Sequence, residues 1–492
     1  MREYTIAAIA TAMGEGGIGI IRISGSEALN ILNRVFVPAK AGSIVNRRFT
    51  YGHIVDKRYV ISDANSSAEN SKNTASSGKN SLNIACPEEE NAEKYQIIDE
   101  VMAVYMKAPY TYTKEDVVEI NCHGGVVPLK KTLALVLRNG AVLAEPGEFT
   151  KRAFLNGRLD LSQAEAVMDL IKAKTDKTFE VALGQLSGEL SSKVKELRKE
   201  LMDLLVEITV NIDYPDEDIE EITYEKLKES LSQIGDKIAK LIASADTGRI
   251  LREGLAVSII GKPNVGKSSL MNALLRERRA IVTDIPGTTR DTIEEFLNIK
   301  NIPVKLTDTA GIRDTDDKIE KIGIEKSKEA FNKADFVIFM IDASAELSEE
   351  DREIIEIIGD RPVLVMLNKN DLGQKITEEE ISALIKNAEI ISASVEKGQG
   401  ISELEEKIEN LVYGGRIKHE ERSIVTNVRH EELLRKSKKS LEDALNLVRQ
   451  GEALDILEID VRSAYDFLGE IIGETVGDDI IDEVFSRFCL GK

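Results

Sequence analysis

The sequence predicts a chain of mixed class, α/β plus all-α, with an α+β region at its start. An apolar run at residues 255–260 leads into a glycine-rich loop and a helical segment, which is a strand–loop–helix unit. Apolar residues recur at helical spacing over 190–208 and 227–242, and a helical pattern resumes at about Glu431. Short strand patterns separated by glycine and proline turns occupy residues 1–157 outside the stretch 62–94.

Composition and charge are those of an ordinary globular chain. It has 492 residues, of which 42% are hydrophobic and 31% charged, enough for about three domains. The net charge of −21 argues against a non-specific nucleic-acid coat protein, since phosphate contacts need Lys and Arg. The cysteines Cys86, Cys122 and Cys489 lack metal-ligand spacing. With no signal peptide and no membrane-spanning apolar run, we expect a cytoplasmic protein with no membrane association.

The N-terminal stretch predicts a strand, a glycine loop and a second strand over residues 4–25. The loop lacks the nucleotide-binding patterns, because no Gly-Lys-Ser/Thr and no helix-capped G-x-G-x-x-G follows it. Arg22 stands among isoleucines and has two interpretations: an edge-strand charge that points into water, or a guanidinium that binds an anion. Residues 62–94 contain seven Ser and six Asn and predict a disordered insertion.

Two loops carry phosphate-binding chemistry. Residues 261–268 follow the pattern Gly-x4-Gly-Lys-Ser between a strand and a helix, which favours a phosphate loop over a flexible turn. Its glycines allow backbone N–H groups to converge on phosphate oxygens, Lys267 would neutralise the β- and γ-phosphates, and Ser268 would bind Mg²⁺. After another strand, Asp308 would hold Mg²⁺ through water, and the Gly311 N–H would sense the γ-phosphate.

Two further loops select the base. In the run Asn-Lys-Asn-Asp, the Asp371 carboxylate can accept hydrogen bonds from guanine N1–H and the 2-amino group, which adenine does not present. Asn368 would brace the loop, and the stem of Lys369 would lie along the base. Residues 392–394 would supply a backbone N–H to guanine O6. Four such patterns in order are typical of a Ras-like P-loop GTPase domain that binds GTP.

The chain resembles, from end to end apart from residues 62–94, the MnmE (TrmE) family of bacterial tRNA-modification GTPases, in the TrmE-Era-EngA-like group. Residues 16–25, 147–161, 261–311 and the terminal Cys-Leu-Gly-Lys (489–492) carry the resemblance, and other P-loop GTPases share only the third of these stretches. The resemblance implies a G domain (251–413) inserted into a helical domain whose halves are 158–250 and 414–492. A folate-binding, dimerising α+β domain (1–157) would precede them.

The resemblance also implies an activity. The family hydrolyses GTP and acts with the FAD flavoprotein MnmG (GidA), as a heterotetramer, on the wobble uridine (U34) of certain tRNAs. It adds a carboxymethylaminomethyl or aminomethyl group at C5. The one-carbon unit comes from (6S)-5-formyl- or 5,10-methylene-tetrahydrofolate at the N-terminal domain, which forms a homodimer.

Carried over residue by residue, the implied folate contacts are Arg22, Glu119, Arg158 and Lys492. A carboxylate can pair with the donor edge of a pterin, and the cations can meet the glutamate tail or formyl oxygen. The family often has Lys at the position of Arg158, which keeps the charge and changes the geometry. Cys489 would lie near the folate as a thiolate or proton donor; the alternative is a free terminal thiol.

In the G domain the resemblance implies K⁺ and Mg²⁺ beside GTP. The K⁺ ligands would be Asn264, Thr283, Ile285 and Thr288, and the Mg²⁺ ligands Ser268 and Thr289. The implied GTP-binding residues are Asn264, Val265, Gly266, Lys267, Ser268, Ser269, Thr283, Asp284, Ile285, Pro286, Gly287, Thr288, Thr289, Asp308, Thr309, Ala310, Gly311, Asn368, Lys369, Asp371, Ser392, Ala393 and Ser394.

The implied catalytic residues are Glu320, Lys267, Thr289 and Cys489. Ile312 stands where a Ras-type enzyme has its water-orienting glutamine, so Glu320 would orient the water. K⁺ would supply the charge of an arginine finger. Arg290 and Arg313 are rival sources of that charge, or they form salt bridges in the switch regions.

Three interpretations remain open beside this one. Residues 416–439 form a basic stretch that would bind tRNA, or else a solvated helix face. A ribosome-assembly GTPase of the Era or Der type would need an RNA module such as a KH domain, and no G-x-x-G loop follows residue 394. A regulatory GTPase without modification activity would leave the N-terminal region and the terminal Cys-Leu-Gly-Lys without a role.

Overall fold

The computed structural model describes residues 4–60, 95–213, 223–278, 296–306, 334–359, 363–386, 388–414 and 425–492. These residues form two compact units. Residues up to Asp160 join Val476–Lys492 in the first unit, and residues from Leu161 to Thr475 form the second. The predicted insertion at 62–94 lies outside the described residues. Residues 476–492 thus group with the N-terminal unit, whereas the sequence interpretation counted them with the helical segment.

The strands form two sheets, one in each unit. In chain order they are β1 (Ile6–Ile9), β2 (Ile18–Ser24), β3 (Phe36–Pro38), β4 (Thr50–Val60), β5 (Tyr95–Met106), β6 (Val117–His123), β7 (Val142–Leu143), β8 (Leu255–Ile260), β9 (Phe296–Ile299), β10 (Ile302–Leu306), β11 (Phe336–Asp342), β12 (Val363–Asn368) and β13 (Ala388–Ser392).

The helices of the described residues are α1 (Ala28–Val35), α2 (Val126–Arg138), α3 (Glu148–Leu155), α4 (Leu161–Lys172), α5 (Asp176–Leu186), α6 (Glu189–Asp213), α7 (Tyr224–Ala243), α8 (Ala245–Glu253), α9 (Lys267–Arg278), α10 (Glu349–Ile358), α11 (Glu378–Leu384), α12 (Ile401–Tyr413), α13 (Val428–Gln450), α14 (Leu454–Ile472) and α15 (Asp478–Ser486). Among these residues, none of the helices is both long and apolar enough to cross a membrane.

The sheet of the first unit has the order β3-β4-β5-β6-β2-β1-β7 and is antiparallel except for the β1–β7 pair. Inward-facing residues such as Ile21, Ile23 and Ile120 pack against α1 and α2 through Ile31 and Leu129. This α+β layer has one covered face, as the alternating burial of β5 and β6 also shows.

The helical part of the second unit has one hydrophobic core. The predicted apolar stripes of α6 and α7 are buried in it, including Leu201 and Leu231, and they pack with α13 and α14 through residues such as Leu441 and Leu468. The core therefore combines residues that precede the second sheet in sequence with residues that follow it. Thr175 and Thr223 cap α5 and α7 with their hydroxyl groups.

The second sheet has the order β13-β12-β11-β8-β10-β9, and only the β9–β10 pair is antiparallel. Helices α9 and α12 cover one face, while α10 and α11 cover the other, so the parallel strands are buried on both sides. The carboxyl ends of parallel strands meet at one edge, where ligands bind in open α/β sheets. The loops after β8, β11, β12 and β13 all lie at this edge.

Candidate nucleotide and folate sites

The phosphate loop, residues 261–268, has the backbone that its sequence predicts. Gly261 and Gly266 adopt φ values of +148° and +106°, which favour glycine. A Cβ at Gly266 would collide with the side-chain amide of Asn368. Helix α9 begins at Lys267, so the first backbone N–H groups of the helix point towards the loop, as anion binding requires.

Lys267 occupies the loop itself. Its Nζ donates hydrogen bonds to the carbonyl oxygens of Gly261, at 2.5 Å, and of Lys262, at 2.7 Å. Burial lowers the pKa of this ammonium below the ordinary lysine value. An anionic phosphate in the loop would offset that penalty, so the donor set fits a phosphate group.

Asn368 links the phosphate loop to the base-selecting loops. It is 3% exposed at the end of β12. Its Nδ2 donates to the carbonyl oxygen of Val265 at 2.8 Å, and its Oδ1 accepts from the backbone N–H of Val395 at 3.0 Å. One buried amide therefore joins the loops that follow β8, β12 and β13. A Cβ at residue 266 would displace this amide, which explains why the position favours glycine.

The loop after β12 presents a lysine and a carboxylate. Lys369 adopts a left-handed conformation, with φ +63°, and its Nζ donates to Asp342 Oδ2 at 2.7 Å. Burial would raise the pKa of Asp342, but hydrogen bonds from Lys369 and Ser344 outweigh it and hold the pKa below its usual value. The Ser394 hydroxyl, and then Lys397, lower the pKa of Asp371, whose side chain is 15% exposed. Asp371 is thus an ionised acceptor at neutral pH.

The backbone donors predicted for guanine O6 are already hydrogen-bonded. The Ala393 N–H donates to the Leu367 carbonyl oxygen at 2.8 Å, and the Ser394 N–H donates to the Gln399 carbonyl oxygen at 3.2 Å. The Ser392 hydroxyl donates to Glu378. A guanine oxygen would have to share one of these donors, and the longer bond of Ser394 is the easier to share.

Several predicted residues of this site lie outside the described residues. They are Thr283, Asp284, Ile285, Pro286, Gly287, Thr288, Thr289, Asp308, Thr309, Ala310, Gly311 and Glu320, together with Arg290, Ile312 and Arg313. Of the predicted cation ligands, Asn264 and Ser268 are described, and both are exposed in the phosphate loop beside Ser269. Asn264 has φ +62°.

In the first unit, two predicted folate residues form an ion pair. Arg22 Nε lies 2.9 Å from Glu119 Oε1, and the two side chains are 19% and 22% exposed. Strand β2 lies between β6 and β1, so the interpretation of Arg22 as an edge-strand charge is wrong. Its guanidinium also lies 5.7 Å from the ring centroids of Tyr112 and Phe149.

Arg158 and the penultimate residue Gly491 contact the same group of side chains around Arg22. The Arg158 guanidinium lies 4.6 Å from the centroid of Tyr112, and Arg22 Nη1 donates to the Gly491 carbonyl oxygen at 3.5 Å. Gly491 has φ +86°, and a Cβ there would collide with the Ile9 carbonyl oxygen. Lys492 is partly exposed. The sequence patterns do not single out Tyr112 or Phe149 as site residues, although Phe149 lies within the stretch 147–161 that carries the resemblance.

The two described cysteines differ in environment. Burial raises the pKa of the Cys122 thiol to about 12, so this cysteine is unreactive at neutral pH. Cys489 is exposed, and its carbonyl oxygen accepts from the backbone N–H of Gly147 at 3.4 Å. Cys86 lies outside the described residues. Cys489 is therefore the accessible thiol of the described chain.

The basic stretch is partly neutralised by neighbouring carboxylates. Arg429, 21% exposed, forms an ion pair with the buried Glu165 at 2.9 Å, and Lys438 pairs with Glu442 at 3.2 Å. Residues 416–424 lie outside the described residues. The positive charge of Arg429 is thus paired within the helical part of the chain and contributes less to a basic surface than the sequence indicates.

Comparison with known families gives matches along the whole chain. The family profile described as "GTP-binding protein TrmE N-terminus" matches residues 5–158, and the profile "MnmE helical domain" matches residues 161–489. A "tRNA modification GTPase MnmE" of Clostridioides difficile (strain 630) is 52% identical over 493 residues, 100% of this chain and 99% of that protein. The protein of the same name from Bacillus subtilis (strain 168) is 46% identical, over 99% and 100% of the two chains.

Solved structures match a smaller part. The G domain of the T. maritima FeoB iron transporter is 26% identical and covers 32% of this chain and 97% of its own, with a TM-score of 0.24. A GTP-binding protein from Sulfolobus solfataricus, in complex with GDP, is 21% identical over 48% and 72% of the two chains, with a TM-score of 0.25. Both scores lie below 0.5, so the family rests on the sequence matches. On those matches, the chain belongs to the MnmE (TrmE) family.

Proposed function

We propose that this chain hydrolyses GTP at the edge of the second sheet and that hydrolysis serves modification of the wobble uridine, U34, of tRNA. The observation that carries the GTP site is the buried amide of Asn368, which hydrogen-bonds the phosphate loop at Val265 and the loop after β13 at Val395. The full-length relatives named as tRNA modification GTPases support the purpose of hydrolysis.

Each described residue of the site has a role that its contacts suit. Lys267 lies where it would neutralise the phosphates, and the exposed hydroxyl of Ser268 would help hold Mg²⁺. Asn264 would help hold K⁺, since its side chain is an oxygen donor in the exposed part of the loop. Asp371 would accept from guanine. Bound cations would lower the cost of the charge that develops on the transferred phosphoryl group.

The remaining catalytic assignments are proposals from the family. Thr289 would complete the Mg²⁺ site and Glu320 would orient the attacking water. Thr283, Ile285 and Thr288 would complete the K⁺ site. We also infer that the G domain is inserted into the helical domain, because the helical core combines residues from both sides of the second sheet in sequence.

The residues of the first unit fit a reduced folate. Arg22 and Arg158 both lie over the ring of Tyr112, and Arg22 also pairs with Glu119, so an aromatic surface lies beside charged groups. All hydrogen bonding to Glu119 within the described residues comes from Arg22, so its second carboxylate oxygen can pair with a pterin donor edge. A bound folate would supply the one-carbon unit, while Lys492 would neutralise its glutamate tail.

The exposed Cys489 on the same C-terminal segment is the candidate thiolate or proton donor. We further propose a homodimer through the N-terminal domain and a heterotetramer with the flavoprotein MnmG, which would supply the redox step. Lys436, Lys438 and Lys439 on α13 are candidate contacts for tRNA phosphates.

The function is tested by nucleoside analysis of tRNA. A bacterial strain that lacks its own family member would be complemented with this chain or with its Asp371→Asn variant, and U34 would be quantified by mass spectrometry. We expect the C5-aminomethyl-type nucleoside with the wild type and a loss of at least about tenfold with the variant. Unmodified U34 in the presence of the well-expressed wild type would contradict the proposal and favour a ribosome-assembly or regulatory GTPase.

A further inference from the structure

Residues 342–351, which run from the end of β11 into the first turn of α10, contact both halves of the nucleotide site. We call this segment the 342–351 bracket. The sequence patterns assigned it no role, because it contains none of the four nucleotide-binding motifs. Its two aspartates each bind one lysine, and the two lysines belong to different loops.

At one end of the bracket, Asp342 binds the loop after β12 through Lys369. Its Oδ2 accepts from Lys369 Nζ at 2.7 Å, while its Oδ1 accepts from the backbone N–H and the hydroxyl of Ser344 at 3.0 and 2.6 Å. The Ala343 N–H donates to the Asn368 carbonyl oxygen at 2.8 Å. Both carboxylate oxygens are thus engaged, and the lysine whose stem would lie along the base has a fixed ammonium.

At the other end, Asp351 holds the phosphate loop. Its Oδ2 accepts from Lys262 Nζ at 2.7 Å and from the hydroxyl and the backbone N–H of Ser348 at 2.7 and 3.0 Å. Asp351 is fully buried, and Lys262 is 17% exposed. The Lys262 carbonyl oxygen in turn accepts from Lys267. The side chain of Lys262 therefore anchors the residue whose backbone orients the phosphate-binding lysine.

A buried carboxylate is costly unless it is paired, so the Lys262–Asp351 contact fixes the loop strongly while it exists. Asp351 Oδ1 is buried without a hydrogen-bond partner among the described residues. Within those residues, the hydrogen bonds from Lys262 and Ser348 to Oδ2 are therefore what offsets the cost of burying this carboxylate. A capping box alone needs only Ser348 and the first turn of the helix. The ion pair with Lys262 is not needed for capping, and it ties the phosphate loop to the first turn of α10.

We propose that Asp342 and Asp351 are positioning residues for the nucleotide, Asp342 for the guanine end and Asp351 for the β-phosphate end. The inference rests on the proposed GTP site and adds a division of labour within it. Asp351 acts through Lys262 on the loop that contacts the terminal phosphates. Asp342 acts through Lys369 on the base.

The test compares GDP with GMP, which lacks the β-phosphate. Dissociation constants of the full chain are measured by competition with a fluorescent GDP at fixed Mg²⁺. We expect Asp351→Asn to weaken GDP about tenfold and GMP hardly at all, a factor within the usual range of coupling between sites. We expect Asp342→Asn to weaken both ligands by one common factor, so that their ratio is unchanged.

Two variants at Lys262 guard against misfolding at the buried aspartate. Lys262→Met removes the same ion pair by changing its more exposed member, so it should reproduce the GDP-selective loss. Lys262→Arg keeps the positive charge and should retain most of the affinity. The double variant with Asp351→Asn should lose no more than either single variant, because both remove one interaction. Glu350→Gln, on the same turn and exposed, is the matched control for the loss of charge.

The outcomes separate the two levels of the argument. If the folded wild type binds no GDP, the proposed function itself fails. If the wild type binds and Asp351→Asn, Lys262→Met and Asp342→Asn behave like Glu350→Gln, the positioning roles are overturned while the GTP site stands. Equal weakening of GDP and GMP by Asp351→Asn would also overturn the division of labour.

Discussion

Replacement of Asn368 by alanine tests whether one amide holds the nucleotide loops together. The substitution removes the donor to the Val265 carbonyl oxygen and the acceptor for the Val395 N–H, in a place that is 3% exposed. A buried polar group left unpaired costs about 1–3 kcal/mol, so two such groups cost about 2–6 kcal/mol. In the predicted G domain (251–413), a loss of that size should lower Tm by several degrees or more.

The assay is thermal unfolding of the full chain with and without GDP, followed by titration of GDP at a temperature where the variant is folded. Because the chain has more than one domain, the transition that GDP shifts identifies the affected part. GDP affinity should fall at least about tenfold in Asn368→Ala, since both loops lose their common partner. Asn368→Asp keeps the acceptor for Val395 and puts an oxygen against the Val265 carbonyl, so it should not rescue binding.

Asn446→Ala is the control, because Asn446 is exposed on α13 and accepts a single bond from Arg449. It should leave the transition that GDP shifts, and the GDP affinity, unchanged. If Asn368→Ala matched this control in both measurements, the bridging role of the amide would be refuted.

Three further predictions concern other parts of the chain. Gly266→Ala should weaken GDP at least about tenfold, because φ is +106° and the added methyl group meets the amide of Asn368. Burial alone would raise the pKa of Glu165, but His430 and Arg429 hold it at about 2. The contribution of the ionised carboxylate to the free energy of unfolding should therefore be complete above pH 4.5 and be lost as the pH falls towards 2. Glu165→Gln should remove that loss, which amounts to about 3 kcal/mol. Arg22→Lys should abolish binding of 5-formyl-tetrahydrofolate in calorimetry, whereas Arg158→Lys should retain it.

Each of these has a matched control. Gly235→Ala lies in the middle of α7 with open space around its Cβ position and should stabilise the helix by roughly 1 kcal/mol. Glu196→Gln on the exposed face of α6 should leave the acid transition of the wild type in place. Equal acid stability of wild type and Glu165→Gln, or equal folate binding by Arg22→Lys and Arg158→Lys, would contradict the corresponding argument.

Local patterns predicted most of the elements. The strand at Tyr95–Met106 and the helices that carry the stripes of α6 and α7 were expected from periodicity alone, because their burial follows a fixed spacing. The strand–loop–helix arrangement at residues 255–278 was expected because glycine, lysine and serine at that spacing are typical of a phosphate loop, whose binding role stays a prediction. The chemistry of these segments depends on neighbours in sequence.

Long-range pairings could not be predicted in the same way. Arg22 and Glu119 are 97 positions apart, and only the β2–β6 register aligns them, so the edge-strand interpretation of Arg22 was as reasonable as the other. The contact of Lys262 with Asp351 depends on how a helix after β11 meets the loop after β8. Asp342 lies at the end of the apolar strand β11, and this position was the feature of the sequence that could have indicated a role in the site.

The most direct test of the central claim is steady-state GTP hydrolysis in K⁺ and in Na⁺ at equal ionic strength, with the wild type and Asn264→Ala. We expect GTP hydrolysis that K⁺ stimulates strongly, with the stimulation lost in the variant, since Asn264 would help hold the cation in the phosphate loop. Equal rates in both salts would contradict the K⁺ assignment of Asn264, Thr283, Ile285 and Thr288. An absence of GTP hydrolysis in either salt would contradict the proposed function as a whole.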